Sequence, residues 1–285
     1  MKGIPVRKIK SSFEQSKFAQ NFDIKNFQDL LSKGDMVQKT HRHDFFLLMA
    51  FEIGIGQHTV DFKEYKLGPY TIFLLRPGQV HSLNLKAKSK GFLIGFTADF
   101  FQTDQAENIQ NLRRLSRNIY FTFEEKTYAK INDLIHSIFE EFNNKQSQYA
   151  KVIESYLSIL LMKLERNQNQ TEQEPKNTFL LDQLDKFSAL LEKHIHQYKK
   201  VSDYAALMNI SSFQLNKITK TTLGKTCSTV INEQVVLEAK RNLLATPSQV
   251  KEIAYHLGFE DVSYFIRFFK KQVGITPIAF RTKFK

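Results

Sequence analysis

VSDYAALMNISSFQLNKITKTTLGKT (Val201–Thr226) and VKEIAYHLGFEDVSYFIRFFKKQVGIT (Val250–Thr276) are two copies of one pattern. Ala205 and Met208 align with Ala254 and Leu257 at a spacing of 49, while Lys217, Lys220 and Gly224 align with Arg267, Lys270 and Gly274 at a spacing of 50. Each copy reads as a short helix, a tight turn and a second helix. A helix-turn-helix needs an apolar first helix, a turn residue that tolerates positive φ, and an exposed second helix. In the first copy Ala205 and Met208 supply the core, Asn209 the turn and Ser211 the cap. Leu215 and Ile218 face inward, which leaves Phe213, Gln214, Asn216, Lys217 and Lys220 outside. In the second copy Ala254 and Leu257 lie inside, Gly258 makes the turn and Asp261 caps. Phe265, Phe268 and Phe269 face inward, and Val262, Ser263, Tyr264, Ile266 and Arg267 lie on the early outward turns.

Those outward residues suit a duplex. Gln and Asn pair bidentately with adenine, and Arg pairs with guanine, in the major groove. Lys220, Lys270 and Lys271 are placed for phosphate contacts, which position a protein without reading sequence. The charge agrees. The chain of 285 residues carries a formal net charge of +12. Residues 179–285 hold 16 Lys and Arg against 9 Asp and Glu, a net of +7 in well under half of the length. An excess of this sign favours a polyanionic partner, nucleic acid before membrane. The single cysteine, Cys227, excludes an intramolecular disulfide and a cysteine-based zinc site, and fits a reducing cytosol. No signal-peptide pattern and no apolar run of about 20 residues is present, so a soluble cytoplasmic protein is expected, with no membrane partner.

The N-terminal half has a different period. Residues 1–35 are mixed. Then Asp44–Phe51, His58–Leu67, Tyr70–His81 and Gly91–Phe100 read as short strands punctuated by Gly and Pro, the pattern of a small β-barrel or jelly roll. From Ile131 to Phe142 apolar residues recur at helical spacing, with Thr122 and Glu125 spaced as a capping box. A second helix over residues 147–165 is apolar on two sides: Val152, Tyr156, Leu160 and Leu164 on one, Ile153, Leu157, Ile159 and Leu161 on the other. Either a second subunit covers one side or both pack within one domain. Residues 166–178 are polar, contain Pro175 and read as a linker. The expected division is therefore 1–165, a linker at 166–178, and a helical domain at 179–285.

The C-terminal segment resembles the DNA-binding domain of AraC/XylS-family transcription regulators over residues 183–285. EAKRNLL (Glu238–Leu244) is similar to the family's linker helix, and KEIAYHLGFEDVSYFIRFFKKQVGITPIAFR (Lys251–Arg281) is similar to its signature second unit. The resemblance implies seven helices that bind adjacent major grooves of double-stranded DNA as one module. It implies base contacts from Phe213, Gln214, Asn216 and Lys217, and from Val262, Ser263, Tyr264, Ile266 and Arg267. Val235 and Thr219 depart from the pattern, where the family often carries Arg and Phe. His41-Arg-His43, Pro77-Gly78-Gln-Val-His81 and Asn84 resemble the two cupin motifs. Leu47 and Leu48 stand where a metal-binding cupin places its Glu, so hydrogen bonding by His41, His43 and His81 is favoured over a metal site, and no cofactor is expected.

The expected architecture is an α+β two-domain chain: a cupin-like β-barrel with a helical dimerisation pair, then an all-α domain with two helix-turn-helix units. In such regulators the barrel senses an effector. A mouth formed by His41, His43, Phe45, Arg76 and His81 would take a small organic molecule such as a sugar or a carboxylate, Arg76 suiting the carboxylate. A homodimer is expected, and RNA polymerase is a further candidate partner. The competing reading is a metal-dependent cupin enzyme with a DNA-binding tail.

Overall fold

The computed structural model describes residues 4–9, 21–101, 112, 115, 116, 118–171 and 178–284. Two compact units divide the chain, one of Pro5–Glu174 and one of Met1–Ile4 with Pro175–Lys285.

Among the described residues the first unit is a sandwich of two five-stranded sheets. One has β1 (Val6–Arg7), β3 (Met36–His43), β8 (Val80–Leu85), β5 (Gly56–Val60) and β6 (Lys63–Lys66) in that spatial order. The other runs β10 (Tyr120–Thr122), β7 (Thr71–Leu75), β4 (Phe46–Ile53), β9 (Lys90–Phe96), β2 (Phe22–Asn26). Strand β4 explains the continuous apolar run of the sequence. Successive side chains of a strand point to opposite faces. Leu47, Met49 and Phe51 join the core with Phe73, Leu83 and Leu85, between the sheets. Phe46, Leu48 and Ala50 join a second core with Ile131, Ile135, Ile153 and Leu157, under two helices. Covered on both faces, the strand has no polar side to show. Each fully buried Leu or Phe there contributes about 1.5–3 kcal/mol.

The two covering helices are α2 (Glu125–Asn144) and α3 (Tyr149–Thr171), which follow the single-turn helix α1 (Phe27–Leu30). The Thr122–Glu125 capping box does not form. Thr122 pairs with Thr71 at the end of β10, and Glu124 occupies the N-cap without a side-chain bond. Along α3, Ile153, Leu157, Leu160 and Leu164 are fully buried, while Ile159 and Met162 stay exposed. This helix continues to Thr171, into the segment expected as a linker, and residues 172–177 lie outside the described residues.

The second unit contains seven helices among the described residues. They are α4 (Thr178–His194), α5 (Val201–Leu207), α6 (Ser212–Leu223), α7 (Cys227–Ala245), α8 (Val250–His256), α9 (Val262–Val273) and α10 (Pro277–Phe284). The repeat of the sequence is a repeat of structure. Helices α5 and α8 each have 7 residues, and α6 and α9 each have 12. Residues 208–211 link the first pair and residues 257–261 the second, and the additional residue in the second turn shifts the spacing from 49 to 50. The long helix α7 contacts both pairs and ties them into one core. Val235 and Thr219, the two departures from the family pattern, are both buried, and Val235 lies in this core. No helix among the described residues is long and apolar enough to cross a membrane.

Candidate nucleic-acid interface and effector cavity

Both turns are built from local chemistry. Asn209 adopts φ 53° and Gly258 φ 74°, the left-handed conformation expected of each. Asn tolerates that region, but the second turn admits only glycine: a Cβ on Gly258 would sit 2.1 Å from the His196 carbonyl oxygen. Ser211 caps α6, its Oγ accepting from the Gln214 N–H at 3.1 Å. Asp261 caps α9, accepting from the N–H groups of Ser263 at 2.6 Å and Tyr264 at 3.2 Å. Both helices close on glycines of positive φ, Gly224 and Gly274.

The caps aim two 12-residue helices outward from one core. On α6, Phe213 is 79% exposed, and Gln214, Lys217 and Lys220 are exposed beside it. On α9, Ser263, Tyr264, Arg267, Lys270 and Lys271 are exposed at helical spacing. Val262 and Ile266, expected on the outward turns, are half-buried and pack against the core.

Two side chains differ from the expected roles. Asn216 is turned inward. Its Nδ2 donates to the Ser212 carbonyl at 3.1 Å, and its Oδ1 accepts from the Cys227 N–H at 3.0 Å, tying α6 to the first turn of α7. With donor and acceptor both engaged, Asn216 does not offer the bidentate edge that reads adenine. Gln214 remains exposed, but its Oε1 accepts from the Ser211 N–H at 2.8 Å, completing a capping box. Its acceptor is free for a base only if that bond opens. Arg281, the arginine that closes the signature segment, is structural: its guanidinium donates to the carbonyls of Leu243 at 2.8 Å and Ser248 at 2.6 Å.

In the first unit a cavity of about 780 Å³ opens between the sheets. Its apolar wall includes Phe45, Leu47, Met49, Leu83 and Leu93, and its charged lining is Arg7, Lys8, Asp23 and Lys25. Phe45, His41, His43 and His81 line it as expected. Arg76 does not. It lies half-buried just after β7, its backbone N–H bonded to Gln79 Oε1, in the turn that leads into β8. The guanidinium in the lining is that of Arg7, brought there by parallel pairing of β1 with Arg42 and His43 of β3.

Histidines from three neighbouring strands meet at the cavity. His41 and His43 point inward from β3, and His81 of β8 pairs across from His41. His58, on β5, is fully buried behind them. A chain of contacts joins them: His41 Nε2 to His43 Nε2 at 3.2 Å, His43 Nε2 to His81 Nε2 at 2.9 Å, and His81 Nδ1 to His58 Nε2 at 3.0 Å. Burial lowers the pKa of all four, His43 and His58 to about 3; neighbouring histidines add to it at His43, His58 and His81, and the Arg7 charge adds to it at His41. All four are neutral at pH 7. Asp44 is exposed and does not join them.

A paired helix-turn-helix unit alongside a cavity-bearing β-sandwich defines a DNA-binding transcription regulator with a ligand-binding domain. Residues 29–161 match the family model of the AraC-like ligand binding domain, and residues 204–283 match that of a helix-turn-helix domain. The chain belongs to the AraC family. It is 26% identical over 253 residues to the uncharacterized HTH-type transcriptional regulator YfiF of Bacillus subtilis (strain 168), covering 86% of this chain and 79% of that protein. It is 22% identical over 243 residues to the HTH-type transcriptional activator RhaR of Enterobacter sp. (strain 638), covering 85% and 86%. Among solved structures, unsaturated fatty acid-bound wild-type ToxT from Vibrio cholerae strain SCE256 is similar at 17% identity and TM-score 0.42, covering 95% of this chain and 97% of that one.

Proposed function

We propose that this regulator reads a specific duplex sequence with α6 and α9 in adjacent major grooves, and that a small organic anion in the sandwich cavity sets its affinity. Phe213, Gln214, Lys217, Ser263, Tyr264 and Arg267 contact bases, flanked by the half-buried Val262 and Ile266. Lys220, Lys270 and Lys271 hold phosphates. The observation that carries this reading is the pair of equal, N-capped helices, each exposing a basic and aromatic row from one shared core. Basic residues facing phosphates release counterions, so affinity falls steeply as salt rises.

The cavity favours an anion with an apolar body, because among the described residues Arg7 and Lys8 line it beside a Lys25 that pairs with Asp23 at 2.8 Å, and the remaining wall is largely apolar. Such a ligand shifts DNA binding only through different affinities for two states of the chain. We read the chain as a regulator and not an enzyme, acting on cytoplasmic DNA as a homodimer, with the exposed Ile159 and Met162 of α3 supporting the dimer contact and RNA polymerase as a downstream partner.

The test selects binding sites from a random duplex library and measures affinity on the selected sequence. Arg267→Ala weakens binding by about 1–3 kcal/mol if Arg267 reads a base. Unchanged affinity removes that role. A panel of carboxylates and sugars is then added to the same complex. If none alters either DNA affinity or the thermal midpoint of the first unit, the effector reading fails.

A further inference from the structure

We infer that residues 195–200, between α4 and α5, are a strap that fixes where α9 sits relative to α6, with Lys199 and His196 as its positioning residues for DNA reading. This rests on the two-groove reading above and adds what keeps the two helices in register with the duplex.

The strap is anchored to the first copy of the repeat. Ile195 is buried in the shared core. Tyr204 of α5, itself fully buried, donates its hydroxyl to the Tyr198 carbonyl at 2.9 Å. From that anchor the strap reaches the turn of the second copy. Lys199 Nζ donates to the Gly258 carbonyl at 3.2 Å. His196 Nδ1 lies 3.1 Å from the His256 carbonyl, which can only accept, so this nitrogen carries the proton. The Lys199 ammonium also lies 5.0 Å from the centre of the Phe259 ring, a cation–π arrangement, and Phe259 belongs to the shared core. Burial lowers the Lys199 pKa, the mark of an ammonium partly withdrawn from water. The chain comes so close here that a Cβ on Gly258 would meet the His196 carbonyl oxygen.

The carbonyls taken by the strap are those that a helix leaves open. The last carbonyls of a helix lack an intrahelical partner, and cations at that end meet the negative end of its dipole. His256 is the last residue of α8, and Gly258 follows in the turn. The turn closes on itself through the Gly258 N–H to Tyr255 and the Phe259 N–H to Ala254. Those bonds shape the turn without placing it. It is placed by α7, which contacts α8 and α9, and by the strap. The turn leads straight into the Asp261 cap of α9, so a shift at Gly258 is passed to the helix that exposes Tyr264 and Arg267. Lys199 and Lys200 line one hollow with those two side chains, which puts the strap beside the reading helix. Hydrogen bonds to base edges form over a window of only about 0.5 Å, while one base pair is a step of about 3.4 Å and about 35° around the duplex. Holding α9 to within a fraction of that step is what the strap contributes.

The test measures the affinity of the full chain for its selected duplex and for duplexes with one base pair added or removed between the two half-sites. The wild type should lose at least about tenfold on either change, because one helix then forfeits its base contacts. In Lys199→Met and in His196→Ala/Lys199→Met the penalty should shrink to less than about threefold, as α9 pivots to follow the displaced half-site. Lys199→Arg, which keeps the cation, a donor and the ring contact, should restore the wild-type profile. Lys200→Ala removes an exposed charge next to the strap, and should weaken all the duplexes alike and leave the spacing penalty in place. Thermal melting shows that each variant is folded, and the Lys199→Met and Lys199→Arg pair decides the matter if the double variant is not. A wild-type spacing penalty retained in both Lys199→Met and the double variant, a flattened profile in Lys199→Arg, or equal flattening by Lys200→Ala overturns the assignment. A wild type indifferent to spacing instead removes the two-groove reading, and this inference with it.

Discussion

Asn216 separates a structural role from a reading role, because the two predict opposite results. Asn216→Ala removes two bonds, to the Ser212 carbonyl at 3.1 Å and from the Cys227 N–H at 3.0 Å. The first is local to α6. The second joins α6 to the first turn of α7, where backbone N–H groups lack an intrahelical partner. Cys227 is fully buried, so its N–H does not simply turn to water. A net hydrogen bond contributes about 0.5–1.5 kcal/mol, and leaving a buried donor unpaired costs about 1–3 kcal/mol. The two losses together come to about 1.5–4.5 kcal/mol. In a domain of this size each kcal/mol moves the melting midpoint by about 4–8 °C. Calorimetry on the full chain should therefore show the transition of the helical unit lowered by at least about 6 °C. Lys217→Ala, one residue along and exposed, should leave that transition in place and weaken DNA binding. If Asn216→Ala melts like the wild type while its preference relaxes at one base pair, the inward assignment is refuted.

The two turns predict unequal tolerance. Gly258→Ala places a Cβ 2.1 Å from a backbone oxygen at a positive φ, and should destabilise the helical unit by more than about 2 kcal/mol. Asn209→Gly, at φ 53°, should change stability by less than about 1 kcal/mol. Urea midpoints of the two variants test this, and an unperturbed Gly258→Ala would contradict it. Burial raises the Cys227 thiol pKa to about 12, so the reactive thiolate is absent in the folded chain up to at least pH 9. A disulfide reagent should label Cys227 only after unfolding, and rapid labelling of the native chain would show the site to be open.

What the sequence revealed depended on how local each signal was. The turns and caps were legible because Asn209, Ser211, Gly258 and Asp261 act on backbone groups within a few residues. The run Phe46–Phe51 was legible as a buried strand, although its reason, a sheet on one face and two helices on the other, is not local. The capping box from Ser211 to Gln214 carries a recognisable spacing and was read only from its serine end. Asn216 was placed outward because its partner, the Cys227 N–H, lies eleven residues on and across a helix break. Arg7 was missed, and Arg76 chosen in its place, because parallel pairing of β1 with β3 spans 36 residues without a local pattern. His58 looked like any residue of a half-buried strand until β5 was laid beside β8, 23 residues from His81.

Hydroxyl-radical footprinting of the full chain on its selected duplex tests the central claim, that two equivalent helices of one core enter the same face of DNA. Two protected tracts centred about 10 base pairs apart are predicted for each bound helical unit, one lost on changing Lys217 and Phe213, the other on changing Arg267 and Tyr264. A single tract per unit, or two that fade together whichever helix is altered, would contradict it.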